Sequence, residues 1–141
     1  MVFERRVRQA RHTTRMNRIK PLSRCVLGIL FIVAGVNHFA NTAMYASIMP
    51  PYLPWHVELV YLSGVAEIML GAMLLRRRYA RFAAWGLIAL CIAVFPANLH
   101  MALHAELYPS LPTWSLWLRL PLQGLLMAWI WCYTKDSKLP E

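Results

Sequence analysis

The sequence predicts an all-α membrane protein, a four-transmembrane-helix up-down bundle with both ends of the chain on the cytoplasmic side. Three observations predict it. Hydrophobic residues make up 59% of the 141 and charged residues only 15%, where a soluble domain carries roughly 45–50% and about 25%. The apolar residues gather into the stretches Leu22–Ala40, Val57–Leu75, Phe82–Leu103 and Trp114–Tyr133, each close to the ~20 residues that cross about 30 Å of hydrocarbon. The cations are distributed unevenly between the connections. Of fifteen Lys and Arg, eight lie between Arg5 and Arg24, four are Arg76, Arg77, Arg78 and Arg81, and two are Lys135 and Lys138. Clusters of this kind flanking apolar runs mark cytoplasmic segments.

Residues 1–21 form a basic cytoplasmic arm, expected to be irregular or to lie on the anionic inner leaflet. Pro21 suits the start of the first span. That apolar run exceeds the 7–15 residues of a signal-peptide core, and Ala40-Asn41-Thr42-Ala43 offers no good small-x-small cleavage site. The expectation is therefore a retained helix. The next connection, Asn41–His56, holds Pro50, Pro51 and Pro54 and no Lys or Arg. It is read as an outer loop. Helix two, Val57–Leu75, returns to the Arg-rich inner turn, and helix three, Phe82–Leu103, leads to a second outer loop with Pro109 and Pro112. Helix four, Trp114–Tyr133, ends at the cytoplasmic tail 135–141, so the transmembrane domain is 22–134. Trp55, Tyr61, Tyr108, Trp114 and Trp117 fit the outer aromatic belt, and Tyr79, Trp85, Trp131 and Tyr133 the inner one. Short connections make successive helices antiparallel neighbours.

The net charge of +9 raises nucleic-acid binding. The cations flank apolar runs and no nucleic-acid motif accompanies them, so that partner is excluded. Cys25, Cys91 and Cys132 form no Cys-x-x-Cys pair and read as small buried hydrophobes. His100 and His104 are spaced i, i+4, as two metal ligands on one helix face would be, but no third fixed ligand follows. No metal is expected.

Ionisable and amide side chains are costly in hydrocarbon, so those that persist there are the functional candidates. They are Asn37, His38, Glu67, Asn98, His100, Arg119 and Gln123, all in the outer half or near the midplane. Ser63, Glu67 and Gly71 share a stripe at i, i+4, i+8, with Gly64 beside it, so Glu67 is expected to face a neighbouring helix. Gly28, Gly35 and His38 share a face of the first helix. Pro96 and Pro121 free the carbonyls of Ile92 and Trp117 one turn earlier. Together these residues predict an outward-facing polar pocket.

Gly28, Gly35-Val-Asn-His-Phe39, Val60-Tyr-Leu-Ser-Gly-Val-Ala-Glu67, Ala84-Trp85-Gly86, Phe95-Pro-Ala-Asn-Leu-His-Met-Ala102 and Arg119-Leu-Pro-Leu-Gln123 give the chain its likeness to a known family. In the order and spacing of these segments it resembles the DoxX-like membrane proteins. The resemblance implies a multi-pass protein of the bacterial inner membrane, associated with redox chemistry. The family takes its name from a subunit of a thiosulfate:quinone oxidoreductase. This chain lacks the paired cysteines of the thiol-redox relatives, so direct thiol chemistry does not follow. The expected function is a redox-associated subunit that binds a quinone or similar amphipathic molecule, with no intrinsic cofactor. His38 and Glu67 would handle protons, Arg119 would hold a carbonyl or anionic oxygen, and Asn98 and Gln123 would orient the ligand. The expected partners are the lipid bilayer and either a redox protein or further copies of the chain. The alternatives are a non-catalytic scaffold or assembly subunit and, third, a small-solute transporter.

Overall fold

The computed structural model describes the backbone of residues 2–109 and 111–135, and side chains from Lys20 onward. The tail expected over 135–141 thus lies, beyond Lys135, outside the described residues, as do the side chains of the basic arm. Every regular element among the described residues is helical. Helix α1 spans Val2–Ala40, α2 Thr42–Ser47, α3 His56–Leu75, α4 Ala80–Leu103 and α5 Thr113–Trp131, with 3-10 turns at Arg77–Tyr79 and Ala105–Leu107.

Helix α1 begins well before the expected apolar start, and Pro21 lies inside it. The short α2 was not legible as a helix. Its chain barely turns away from α1: Asn41 N–H donates to the Asn37 carbonyl, and the Thr42 hydroxyl donates to the His38 carbonyl at 2.8 Å. The chain then enters α3 through Trp55, the one non-glycine residue at positive φ (58°) among the described residues.

The closest helix contact joins α1 and α3, and glycine makes it possible. A Cβ placed on Gly35 would stand 2.6 Å from the Gly64 carbonyl oxygen, and one on Gly71 would stand 2.7 Å from that of Gly28. The two contacts are seven residues apart on each helix and run in opposite directions. They fix an antiparallel register in which Gly28 faces Gly71 and Gly35 faces Gly64. Between helices in lipid the hydrophobic effect drives little, so close backbone approach through small residues supplies the attraction. Helix α4 packs beside α3 across the 3-10 turn, with Gly86 making room for Leu70. Helix α5 lies antiparallel to α4, Trp85 meeting Trp131 at one end and Asn98 meeting Gln123 further along. A core of Leu27, Leu74, Ala83, Leu87, Ile130 and Tyr133 joins all four long helices. Trp129 Nε1–H and Tyr133 O–H both donate to Ser23 Oγ, at 2.8 and 2.7 Å, and tie α5 back to α1. A second, smaller cluster of Met101, Tyr108 and Leu116 closes the opposite end.

Outside this core the apolar side chains point outward. Leu22, Leu62, Phe82 and Leu125 are each about two-thirds exposed, at 66, 65, 68 and 67%. An apolar belt of that extent is unfavourable in water and suits lipid. Three helices, Lys20–Ala40, His56–Leu75 and Arg77–Leu103, are long and apolar enough to cross a membrane. The fourth expected span, on α5, does not reach that combination of length and hydropathy. Helix α5 has 19 residues, but Arg119, Gln123, Pro121 and its tryptophans dilute its apolar character.

Because Gly35 has no room for a Cβ, Gly35→Ala should force α1 and α3 apart and cost about 1–3 kcal/mol, the usual range for overpacking. Gly124 is the contrast, since nothing lies within 4 Å of a Cβ placed there. Gly124→Ala should leave stability within about 1 kcal/mol of the parent or raise it. Thermal unfolding in detergent checks both, and equal effects at the two positions would refute the close-packed seam.

Candidate functional site

The glycine seam sets the geometry of the polar residues beside it. A Cβ on Gly64 would meet the His38 Cβ at 2.9 Å, so the glycine leaves His38 its place between α1 and α3. The His38 ring is buried, and its Nδ1 lies 2.9 Å from the Ala34 carbonyl oxygen and 3.5 Å from Glu67 Oε2. With its proton on Nδ1 the ring donates to Ala34. The same nitrogen carries the attraction to Glu67 when the ring is charged. The side chains of His38 and Glu67 are only 11 and 13% exposed, and Glu67 Oε2 is buried without a hydrogen-bond partner. An acid and a base are thus in contact inside an apolar bundle.

Tyr45 of α2 covers His38. Its ring stacks on His38 with centroids 4.0 Å apart, and its hydroxyl accepts a hydrogen bond from Asn37 Nδ2 at 2.9 Å. Asn37 Oδ1 in turn accepts from Asn41 Nδ2 at 2.6 Å. Of the expected residues, Asn37, His38 and Glu67 therefore come together. Tyr45 was missed because its loop reads as irregular, and only its spacing of seven and eight residues from His38 and Asn37 hinted that it could fold back.

Asn98 and Gln123 form a second cluster between α4 and α5. Asn98 Nδ2 donates to Gln123 Oε1 at 3.0 Å, and Gln123 Nε2 donates to the Cys91 carbonyl. The carbonyl that receives this amide is one residue before Ile92, which Pro96 deprives of its usual donor. Gln123 thus supports α4 where proline weakens its ladder. Cys91 is buried in the apolar core as expected, whereas Cys25 is half-buried and Cys132 exposed.

The remaining two candidates stand apart. Arg119 donates to the Met101 sulfur at 3.8 Å, and its guanidinium is not brought to Glu67. His100 has its ring centroid 4.5 Å from that of His104 and 6.2 Å from that of Tyr52, and its Nδ1 is buried without a hydrogen-bond partner. Among the described residues no group of three or more His, Cys, Asp or Glu could hold a metal ion. In the loop beyond His100, the Glu106 carboxyl is held below the usual carboxylate range, first by its own backbone N–H and also by His104, 3.2 Å away. Burial raises the Tyr108 phenol above its ordinary value.

If Gln123 is the bridge between Asn98 and the Cys91 carbonyl, Gln123→Leu should destabilise the bundle by about 1–2 kcal/mol, the scale of an interhelical hydrogen bond in membranes. Asn98→Leu on that background should add little, because its partner has gone. A double-mutant cycle on thermal unfolding measures this, and additive losses would separate the two amides.

No curated protein and no solved structure matches the chain. A family match covers residues 27–134, and that family is a domain of unknown function, DUF8561. The match overturns the DoxX-like resemblance, whose glycine, histidine and amide signatures are of a kind that unrelated membrane helices acquire through the same packing demands. The span begins on α1 beside the glycine seam and ends just past α5, so it takes in both polar clusters. The chain belongs to the DUF8561 family.

Proposed function

We propose that this chain is an integral membrane protein that exchanges protons with an amphipathic ligand, a quinone or a molecule of like chemistry, at His38 and Glu67. The observation that carries the reading is the buried contact between them, 3.5 Å from Nδ1 to Oε2, with that carboxylate oxygen otherwise unpartnered. Ionisable groups persist at such a site against a desolvation cost, which argues for use. A quinone that accepts two electrons must also take two protons, and a paired acid and base is suited to deliver them. The electrons would come from a redox partner. Helix packing narrows the earlier assignment: Asn98 and Gln123 already satisfy each other and Cys91, so they hold helices rather than ligand.

The second reading, a scaffold without catalysis, draws its support from that same amide cluster, which is purely interhelical. Glu67→Gln separates the two. Glutamine keeps the size and hydrogen-bonding capacity of the side chain but cannot exchange a proton. Quinone extracted from the purified protein should fall at least tenfold in Glu67→Gln and in His38→Gln, with melting temperature nearly unchanged. Undiminished quinone in both variants would sink the ligand reading and leave the scaffold.

The finer topology belongs to the same proposal. Helix α5 falls short as an isolated span, yet Gln123 is buried within the bundle. Packing against α4 therefore takes up part of the polarity that composition counts against it. We place α5 across the membrane as a fourth helix, with both chain ends on the side of the Arg76–Arg78 turn, taken as the cytoplasm. A reporter active only outside the cytoplasm should be silent after Arg78 and after Glu141, and active after Pro51 and Pro109. Activity at Glu141 would mean an odd number of spans.

A further inference from the structure

We propose that the end of the bundle at Arg24, Arg76, Arg77 and Arg78 binds the phosphodiester headgroup of an anionic phospholipid. The register of the glycine seam places these residues together. With Gly28 opposite Gly71, position 24 of α1 lies level with position 75 of α3, next to Arg76. Arg76, Arg77 and Arg78 are exposed, and among the described residues none of the three forms a salt bridge. Arg78 rests over the Tyr79 ring, 5.7 Å from its centroid, which leaves its guanidinium edge open to an acceptor. Arg24 Nε is buried without a hydrogen-bond partner.

The apolar surroundings select the class of anion. Leu22 and Phe82, two-thirds exposed, flank the cationic residues on α1 and α4, and Trp85 and Trp131 meet edge to face at the same level. A free phosphate would use the arginines alone. A phospholipid would use both parts, its phosphodiester on the guanidinium groups and its acyl chains on the exposed apolar belt. Guanidinium groups suit a phosphate because several N–H donors match its oxygens in a fixed fork. This inference is independent of the proton-exchange reading, since it shares no residue with His38 and Glu67.

The test is thermal unfolding of delipidated full-length protein in detergent, titrated separately with phosphatidylglycerol, phosphatidylcholine and glycerol 3-phosphate. Phosphatidylglycerol should raise the melting temperature and the other two should not. The triple substitution R76Q/R77Q/R78Q should weaken the phosphatidylglycerol response on the order of a hundredfold in half-maximal concentration, from the contribution of each arginine near an anionic surface. Its melting temperature without lipid should hold, because the three side chains are exposed. Arg24→Met, which keeps the apolar stem, should weaken the response less. Equal stabilisation by phosphatidylcholine would show a response to acyl chains alone and overturn the proposal. So would an undiminished response in the triple variant, and a response to glycerol 3-phosphate matching that to the lipid would reassign the site to soluble phosphate.

Discussion

The contact between the backbones of α1 and α3 is the constraint from which the rest of the structure follows. Gly28 against Gly71 and Gly35 against Gly64 leave no space for a Cβ at any of the four positions. Two such contacts seven residues apart fix the separation of the helices, their direction and their register together. One contact would leave the helices free to pivot. The register then decides which side chains meet. His38 lies one turn beyond Gly35, and Glu67 one turn beyond Gly64. Because the helices run in opposite directions, the two residues leave the contact in opposite senses, and only the reach of both side chains closes the gap between them. A bulkier seam would widen that gap and strand a carboxylate in hydrocarbon.

The polar groups are divided between two helix pairs, and the division has an energetic logic. Between α4 and α5 the donors and acceptors are matched: the Asn98 amide, the Gln123 amide and the Cys91 carbonyl satisfy one another. Such a closed set adds specificity to packing and loses little when lipid surrounds it. Between α1 and α3 the set is open. Glu67 Oε2 lacks a hydrogen bond although it is buried. An open set costs stability, and a protein that kept it for structure alone would gain by closing it. One bundle thus holds a closed polar set between α4 and α5 and an open one between α1 and α3.

Much of this was legible in the sequence. Apolar run length placed α3 and α4 within two residues of their observed starts, because hydrophobic content and proline-rich loops are local signals. The shared stripe of Ser63, Glu67 and Gly71, with Gly64 beside it, was visible from helical spacing alone. The pairing of that stripe with Gly28 and Gly35 was not, since register depends on which two surfaces fit and no single helix records it. Tyr45 was lost for a similar reason. Its place over His38 depends on the hydrogen bonds by which Asn41 and Thr42 keep the chain close to α1. Arg119 was expected to share a polar pocket with Glu67, but position along a helix does not fix the direction in which it presents a side chain. Its guanidinium meets the Met101 sulfur instead. The family resemblance failed at the same level, because scattered glycines and amides report on helix packing more than on descent.

The two ends of the bundle differ in what they hold, and a membrane makes that difference physical. One end gathers arginines beside exposed tryptophan and phenylalanine, and it is also where Ser23 fastens α5 to α1. That end carries most of the shared apolar core. The other end holds the histidines, the amides of α1 and the short α2, with a smaller cluster of Met101, Tyr108 and Leu116 beneath the loops. A bundle welded at one end and lightly packed at the other has its freedom to open where packing is least. Local opening follows low contact density and few buried apolar residues. His38 lies toward that lightly packed end, stacked against Tyr45 of a six-residue helix whose own residues are none of them buried, while Glu67 sits within the seam between Gly64 and Gly71. Displacing Tyr45 would uncover the His38 ring without disturbing the glycine seam or the core.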